Sequence, residues 1–247
     1  MANITFQEAF KAGKEAYKAE DYQQAEQYFI TAVDIAKNQD EYEWYVDALI
    51  ELGECYMNLR DGENMFNAWK TAEETSRHFD YKYGLHKSLR RLGHLHHQND
   101  YDDEALDFLK ESIQIGIDNE YDPQHVSYMM YIVQKILYKK EEYQEALQYA
   151  LECEKWAHKY NSINYIDSLL SDISNIYLSL DDYESARRYM TEAFVYSEPQ
   201  NQKILLQSIA FINRQLNYQA DSEYFDNWAA SIDDEGQTNE AWLLKFH

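Results

Sequence analysis

Glu142-Tyr143-Gln144-Glu145-Ala146 and, forty residues on, Asp182-Tyr183-Glu184-Ser185-Ala186 are two copies of one phrase: an acid, an aromatic, polar residues, then Ala. The phrase also occurs as Asp21-Tyr22-Gln23-Gln24-Ala25 and as Asp100-Tyr101-Asp102-Asp103-Glu104-Ala105. A degenerate copy, Asp61-Gly62-Glu63-Asn64-Met65, fills the long gap between those two. The rhythm is therefore about 40 residues, and such a period marks a repeat array. Apolar residues on either side recur at spacings of three and four, as in Leu49, Leu52 and Tyr56 before a phrase and Tyr28, Phe29, Ala32, Val33 and Ala36 after one. That spacing puts them on one face of a helix. Each phrase is then the turn of a helix–turn–helix unit.

The bulk composition agrees. Seven Gly and two Pro in 247 residues leave few breakers, which favours long helices and short turns. Twenty-three Tyr suit a fold with much half-buried surface, where a ring packs and the hydroxyl stays wet. The net charge of −23 argues against nucleic acid and anionic membrane as partners of the whole chain, since both need a basic footprint. Cys55 and Cys153 stand 98 residues apart inside helical patterns, which reads as two reduced core thiols and a cytoplasmic setting. The N-terminal stretch lacks the apolar region of a secretory signal, and no window reaches the ~18 apolar residues of a membrane helix.

The units resemble the tetratricopeptide repeat, with its Leu-Gly, aromatic, Ala, aromatic, Ala spacing. Leu52-Gly53, Tyr56, Trp69 and Ala72 carry it in repeat 2, and Gly13, Tyr22, Ala25, Phe29 and Ala32 in repeat 1. Repeat 3 shows Leu92-Gly93, Ala105 and Leu109, and repeat 5 shows Ile173, Tyr177, Tyr183, Ala186, Met190 and Ala193. Repeat 4 departs, with Gln134 in place of Gly and Cys153 in place of the last Ala. The resemblance implies an all-α fold, an α–α superhelix of five to six helix-turn-helix units. The expected repeats span about 5–38, 43–78, 83–118, 124–160 and 163–197, with a divergent sixth at 202–232 and a C-terminal capping segment or tail at 233–247. A 40-residue period, longer than the usual 34, is similar to that of the peptide-pheromone receptors of Gram-positive bacteria and of the kinesin light chain.

The same resemblance implies function. In such arrays the first helix of each unit lines the concave face and supplies ligand contacts. The 25 positions so implied carry six bases, Lys14, Lys18, Lys87, Arg90, Lys135 and Lys139, against two acids, Asp47 and Glu54. Random placement at this composition would give about two bases and four to five acids. With Tyr17, Tyr128, Tyr131, Tyr138, His94, His97 and the adjacent Arg91, they form the expected peptide-binding set. The expected ligand is an acidic or carboxylate-ended segment of a protein or peptide. Lys87 and Arg91 match the third-repeat pair of the chaperone-binding carboxylate clamp, but Phe10, Lys14 and Glu51 break the rest of that motif. The alternatives are a peptide-responsive regulator that sequesters a partner protein, and a subunit that self-associates through Trp242-Leu243-Leu244. No Gly-rich phosphate loop, Gly-x-Ser-x-Gly or HExxH occurs, so no enzyme activity, metal or cofactor is expected. The His94, His96, His97 group reads as groove or surface histidines.

Overall fold

A computed structural model describes residues 4–161 and 165–232. Among them the regular elements are twelve α-helices in two compact units, 1–122 and 123–247. The first unit holds α1 (Phe6–Lys18), α2 (Tyr22–Asn38), α3 (Tyr42–Leu59), α4 (Gly62–His78), α5 (Lys82–Gln98) and α6 (Asp102–Asn119). The second holds α7 (Pro123–Lys139), α8 (Tyr143–Lys159), α9 (Ile166–Ser179), α10 (Tyr183–Tyr196), α11 (Pro199–Gln215) and α12 (Gln219–Ser231). Each unit is three helical hairpins stacked in chain order. The all-α fold expected from the sequence is what forms. No described helix is long and apolar enough to cross a membrane.

The turns explain how so few glycines suffice. Glu20, Asp40, Arg60, Asp80, Asp100, Glu120, Glu141, Asn161, Asp181 and Asn217 all adopt φ between 53° and 63°. A left-handed residue there ends the helix and lets the next amides cap it. At the first turn the Glu20 N–H donates to the Tyr17 carbonyl (3.0 Å) and the Asp21 N–H to the Ala16 carbonyl (3.0 Å), the Schellman arrangement. The same pair of bonds recurs at Arg60-Asp61, Asp100-Tyr101, Glu141-Glu142, Asp181-Asp182 and Asn217-Tyr218. The acid of the recurring phrase then starts the next helix. Asp21, Asp61 and Asp182 accept the N–H of Gln24, Asn64 and Ser185, each at 3.1 Å.

The connection into α11 differs. The sixth repeat, expected from 202, begins earlier, with Pro199 in the first turn of α11. A missing N–H costs nothing there, and the fixed φ suits helix entry. The segment 233–247, read as a capping helix or tail, lies outside the described residues.

Inside each hairpin a small residue on the first helix meets a large one on the second. A Cβ on Gly13 would stand 2.7 Å from the Phe29 ring, one on Gly53 2.2 Å from Trp69 Nε1, and one on Gly93 2.7 Å from Leu109 Cγ. The partner always lies 16 residues on. At the corresponding places of α7 and α8 stand Gln134 and Ala150, both buried, with the sizes exchanged. The departure in repeat 4 thus keeps the small-with-large pairing.

Candidate functional site

In the first unit successive first helices touch, α1 with α3 and α3 with α5; in the second, α7 touches α9. The nominated side chains lie on these helices, and several are bonded to a neighbouring first helix. Lys14 Nζ sits 2.7 Å from Glu51 Oε1, Arg91 Nε 2.5 Å from Glu54 Oε1, and Lys135 Nζ 3.7 Å from Asp172 Oδ2. All three pairs are separated by 37 residues, one repeat less about a helical turn. Lys87 Nζ reaches Asp47 Oδ1 at 3.4 Å. The Asn58 amide donates to the Tyr17 hydroxyl (2.9 Å) and the Ser179 hydroxyl to that of Tyr138 (3.4 Å), each pair 41 residues apart.

This ladder changes the electrostatic picture drawn from sequence. The two acids among the 25 positions understate the negative charge on these rows, because Glu51 and Asp172 lie between the counted positions and face the same bases. Lys14, Lys87, Arg91 and Lys135 are therefore compensated inside the protein. Lys18 is exposed in the last turn of α1, and Lys139 in that of α7.

Three groups depart from simple pairing. Glu54 is buried, and burial pushes its carboxyl up, against the pull of Arg91; Glu51 adds to the rise. Glu54 Oε1 and Arg91 Nε make an ionic contact without an aligned hydrogen bond. Arg90 is half-buried, and burial lowers its guanidinium to about 10, with the neighbouring Arg91 adding to the drop. His94 is lowered by burial and then by His97 and the arginines. Its neighbour His97 faces Asp102 Oδ1 at 3.2 Å.

The raised Glu54 has a consequence for stability. Its folded pKa lies above the unfolded value of about 4.5, so above that pH the folded state holds the proton longer than the unfolded one. Stability of the native chain relative to Glu54→Gln is then greatest in acid and falls as pH rises through the window starting near 4.5. Urea midpoints of both proteins at pH 4 to 7 measure this; a difference that grows with pH would reverse the assignment and make Arg91 dominant.

Arg91 and His94 come together in a cavity of about 210 Å³ in the first unit, with Arg60 and Gln98 as further polar groups and Met57, Met65 and Leu95 as apolar wall. In the second unit Tyr128, Tyr131 and Tyr165 form one cluster, with ring centres 5.0 to 6.3 Å apart, and Lys135 Nζ lies 5.0 Å from the Tyr131 ring centre. Tyr165 escapes the sequence reading because it precedes α9 and has no place in the repeat phrase. Its hydroxyl is instead hydrogen-bonded to Ser127. Cys55 and Cys153 are both buried free thiols, as expected.

Residues 168–194 match the family model described as tetratricopeptide repeat. Among solved structures, BtubC (BKLC) from P. vanneervenii has a TM-score of 0.62 at 13% identity, over 98% of this chain and 92% of that one. A Signal Transduction ATPase with Numerous Domains, carrying a tetratricopeptide repeat sensor, from Pyrococcus horikoshii has a TM-score of 0.71 at 11% identity, over 97% of this chain and 38% of that one. A Rap protein complexed with Competence and Sporulation Factor has a TM-score of 0.57 at 17% identity, over 89% of this chain and 61% of that one. At these identities the likeness is one of fold. Comparison with the sequences of curated proteins gives no match. The resemblance drawn from the recurring phrase is borne out: residues 168–194 match a tetratricopeptide repeat, and the fold is like that of solved structures that include a tetratricopeptide repeat sensor and a Rap protein.

Proposed function

We propose that the chain is a binding module that holds an acidic segment of a protein or peptide along its first helices. The observation that carries this reading is the pairing ladder. Lys14, Lys87, Arg91 and Lys135 are held in place by carboxylates of the neighbouring first helix. Such heads are ordered before any ligand arrives, so less side-chain entropy is lost on binding. Ligand carboxylates can share or take over the remaining N–H donors. Tyr17, Tyr128, Tyr131 and Tyr138 add flat apolar surface beside them, with His94 and His97 as further donors. A Rap protein of similar fold holds Competence and Sporulation Factor, which supports a peptide-responsive version of the same reading. There, small-angle scattering would change when a short peptide is added.

The reading is tested with N-acetyl-hexaglutamate amide as an acidic probe. The triple variant Lys87→Glu, Lys135→Glu, Lys139→Glu should bind it at least ten-fold more weakly, with a flatter dependence on salt. Circular dichroism checks that the variant is folded. Equal affinity and equal salt dependence in the two proteins would remove the proposal.

A further inference from the structure

The charge pattern on α3 and α5 contains one place where a counter-charge is missing. Lys14, Lys87 and Arg91 each have a carboxylate in ion-pair contact. Arg90 has none among the described residues. Its Nε is enclosed and finds no acceptor. The strongest charge acting on it is a like one, the Arg91 guanidinium, and the opposing fields of Asp122 and Glu54 are weaker. A guanidinium has five N–H donors and no acceptor, and an enclosed donor left without a partner is costly. Buried charges in folded proteins are normally paired. Of the nearby acids, Glu54 is engaged on Arg91 and Asp47 on Lys87. Asp122 makes no ion pair with Arg90; its Oδ2 lies 3.9 Å from Nε2 of His86, an imidazole that burial holds toward the neutral form.

We propose that Arg90 is the group that receives a carboxylate of the bound segment, on the α3–α5 face of the first unit. The inference rests on the binding reading above and names its anchoring residue. A planar carboxylate meets the guanidinium fork with two parallel hydrogen bonds, which a lysine cannot offer. Asp122 and, after it, Glu54 are the internal competitors, whose carboxylates lend Arg90 part of the field that a ligand would supply in full.

The test follows the Nε–H signals of arginine by NMR in the full chain, with Arg90 assigned by its loss in Arg90→Gln. N-acetyl-hexaglutamate amide should shift the Arg90 signal saturably. Arg90→Gln should weaken probe binding ten-fold or more, Arg90→Lys should fall between, and Glu54→Gln should tighten it several-fold. Lys155→Gln, an exposed residue of α8 that pairs with Glu152, should change affinity less than two-fold. If Arg90→Gln fails to fold, the signal shift in the native chain and the gain in Glu54→Gln still decide. An Arg90 signal unmoved at saturating probe overturns the proposal, and so does a response to inorganic phosphate with none to the probe. If the lysine variant binds more weakly while Arg90 is silent, the anchor is wrong and the binding module stands. If no acidic probe binds the native chain at all, both fall together.

Discussion

Replacing Gly53 by Ala lowers the stability of the chain by about 2 kcal/mol, although Ala is the better helix former. Ala in a helix interior is worth up to about 1 kcal/mol over Gly. Against that, the new methyl would stand 2.2 Å from Trp69 Nε1 and 2.5 Å from its Cδ1. The Trp69 ring is 2% exposed, and its N–H donates to the Ile50 carbonyl at 3.2 Å, so it has nowhere to go without losing that bond. Overpacking of this kind costs about 1–3 kcal/mol and the lost hydrogen bond about 1 more. Gly62 supplies the contrast. Nothing lies within 4 Å of a Cβ built there, at the start of α4, so Gly62→Ala should gain a few tenths to about 1 kcal/mol. Urea unfolding of both variants measures the difference. A smaller penalty for Gly53→Ala in a Trp69→Leu background would locate its cause in the ring. Similar gains from both alanines would show that α3 and α4 do not approach as closely as described.

Phe29→Ala is expected to cost about 3–5 kcal/mol, the range for removing a buried aromatic. Phe29 is fully buried among Ala16, Ala25, Leu52 and Cys55, lies edge-on to Phe10 at 5.6 Å, and fills the space that Gly13 leaves. It joins the first hairpin to α3. In a unit whose hairpins stack in chain order, the loss should fall on that end first. Amide exchange in α1 and α2 should accelerate by about two to four orders of magnitude, with that in α9 and α10 nearly unchanged. Phe211→Ala, at a ring 46% exposed on α11, should stay within about 0.5 kcal/mol. Uniform acceleration along the chain would mean that the hairpins unfold as one body.

The helices and their pairing were legible in the sequence because three signals recur along it, all three in repeat 1 and one or two in each of the other four. An acid caps the second helix, Gly13, Gly53 or Gly93 marks the close approach, and Ala25, Ala105, Ala146 or Ala186 lies fully buried against it. The departure at Gln134 looked like a weak repeat because single positions were read one at a time. The exchange of sizes with Ala150 emerges when the 16-residue pairing is known. The electrostatics of the face were less legible for a similar reason. Charge counted by position within one repeat misses that Lys14 with Glu51 and Lys135 with Asp172 pair between successive repeats at 37 residues. Opposite charges at that separation are the ladder's mark in the sequence. Arg90 stands out only against it, since an unpaired base is invisible until its neighbours have been paired.

The left-handed residues at positions 20, 40, 60, 80, 100 and 120 fall at an interval of twenty in the first unit. Helix and turn together thus form a fixed quantum of chain. Adding or deleting a single residue within a helix would swing everything beyond it by about 100° around the axis and present the wrong side chains to the adjacent hairpin. Lengthening by forty returns every contact to its own kind. A copy of residues 41–80 spliced in after residue 80 should therefore be accepted as an extra storey, while an insertion of one alanine in the middle of α4 should not. The molecule can grow or shrink in whole storeys, and a partner of greater length can be met without redesigning the parts.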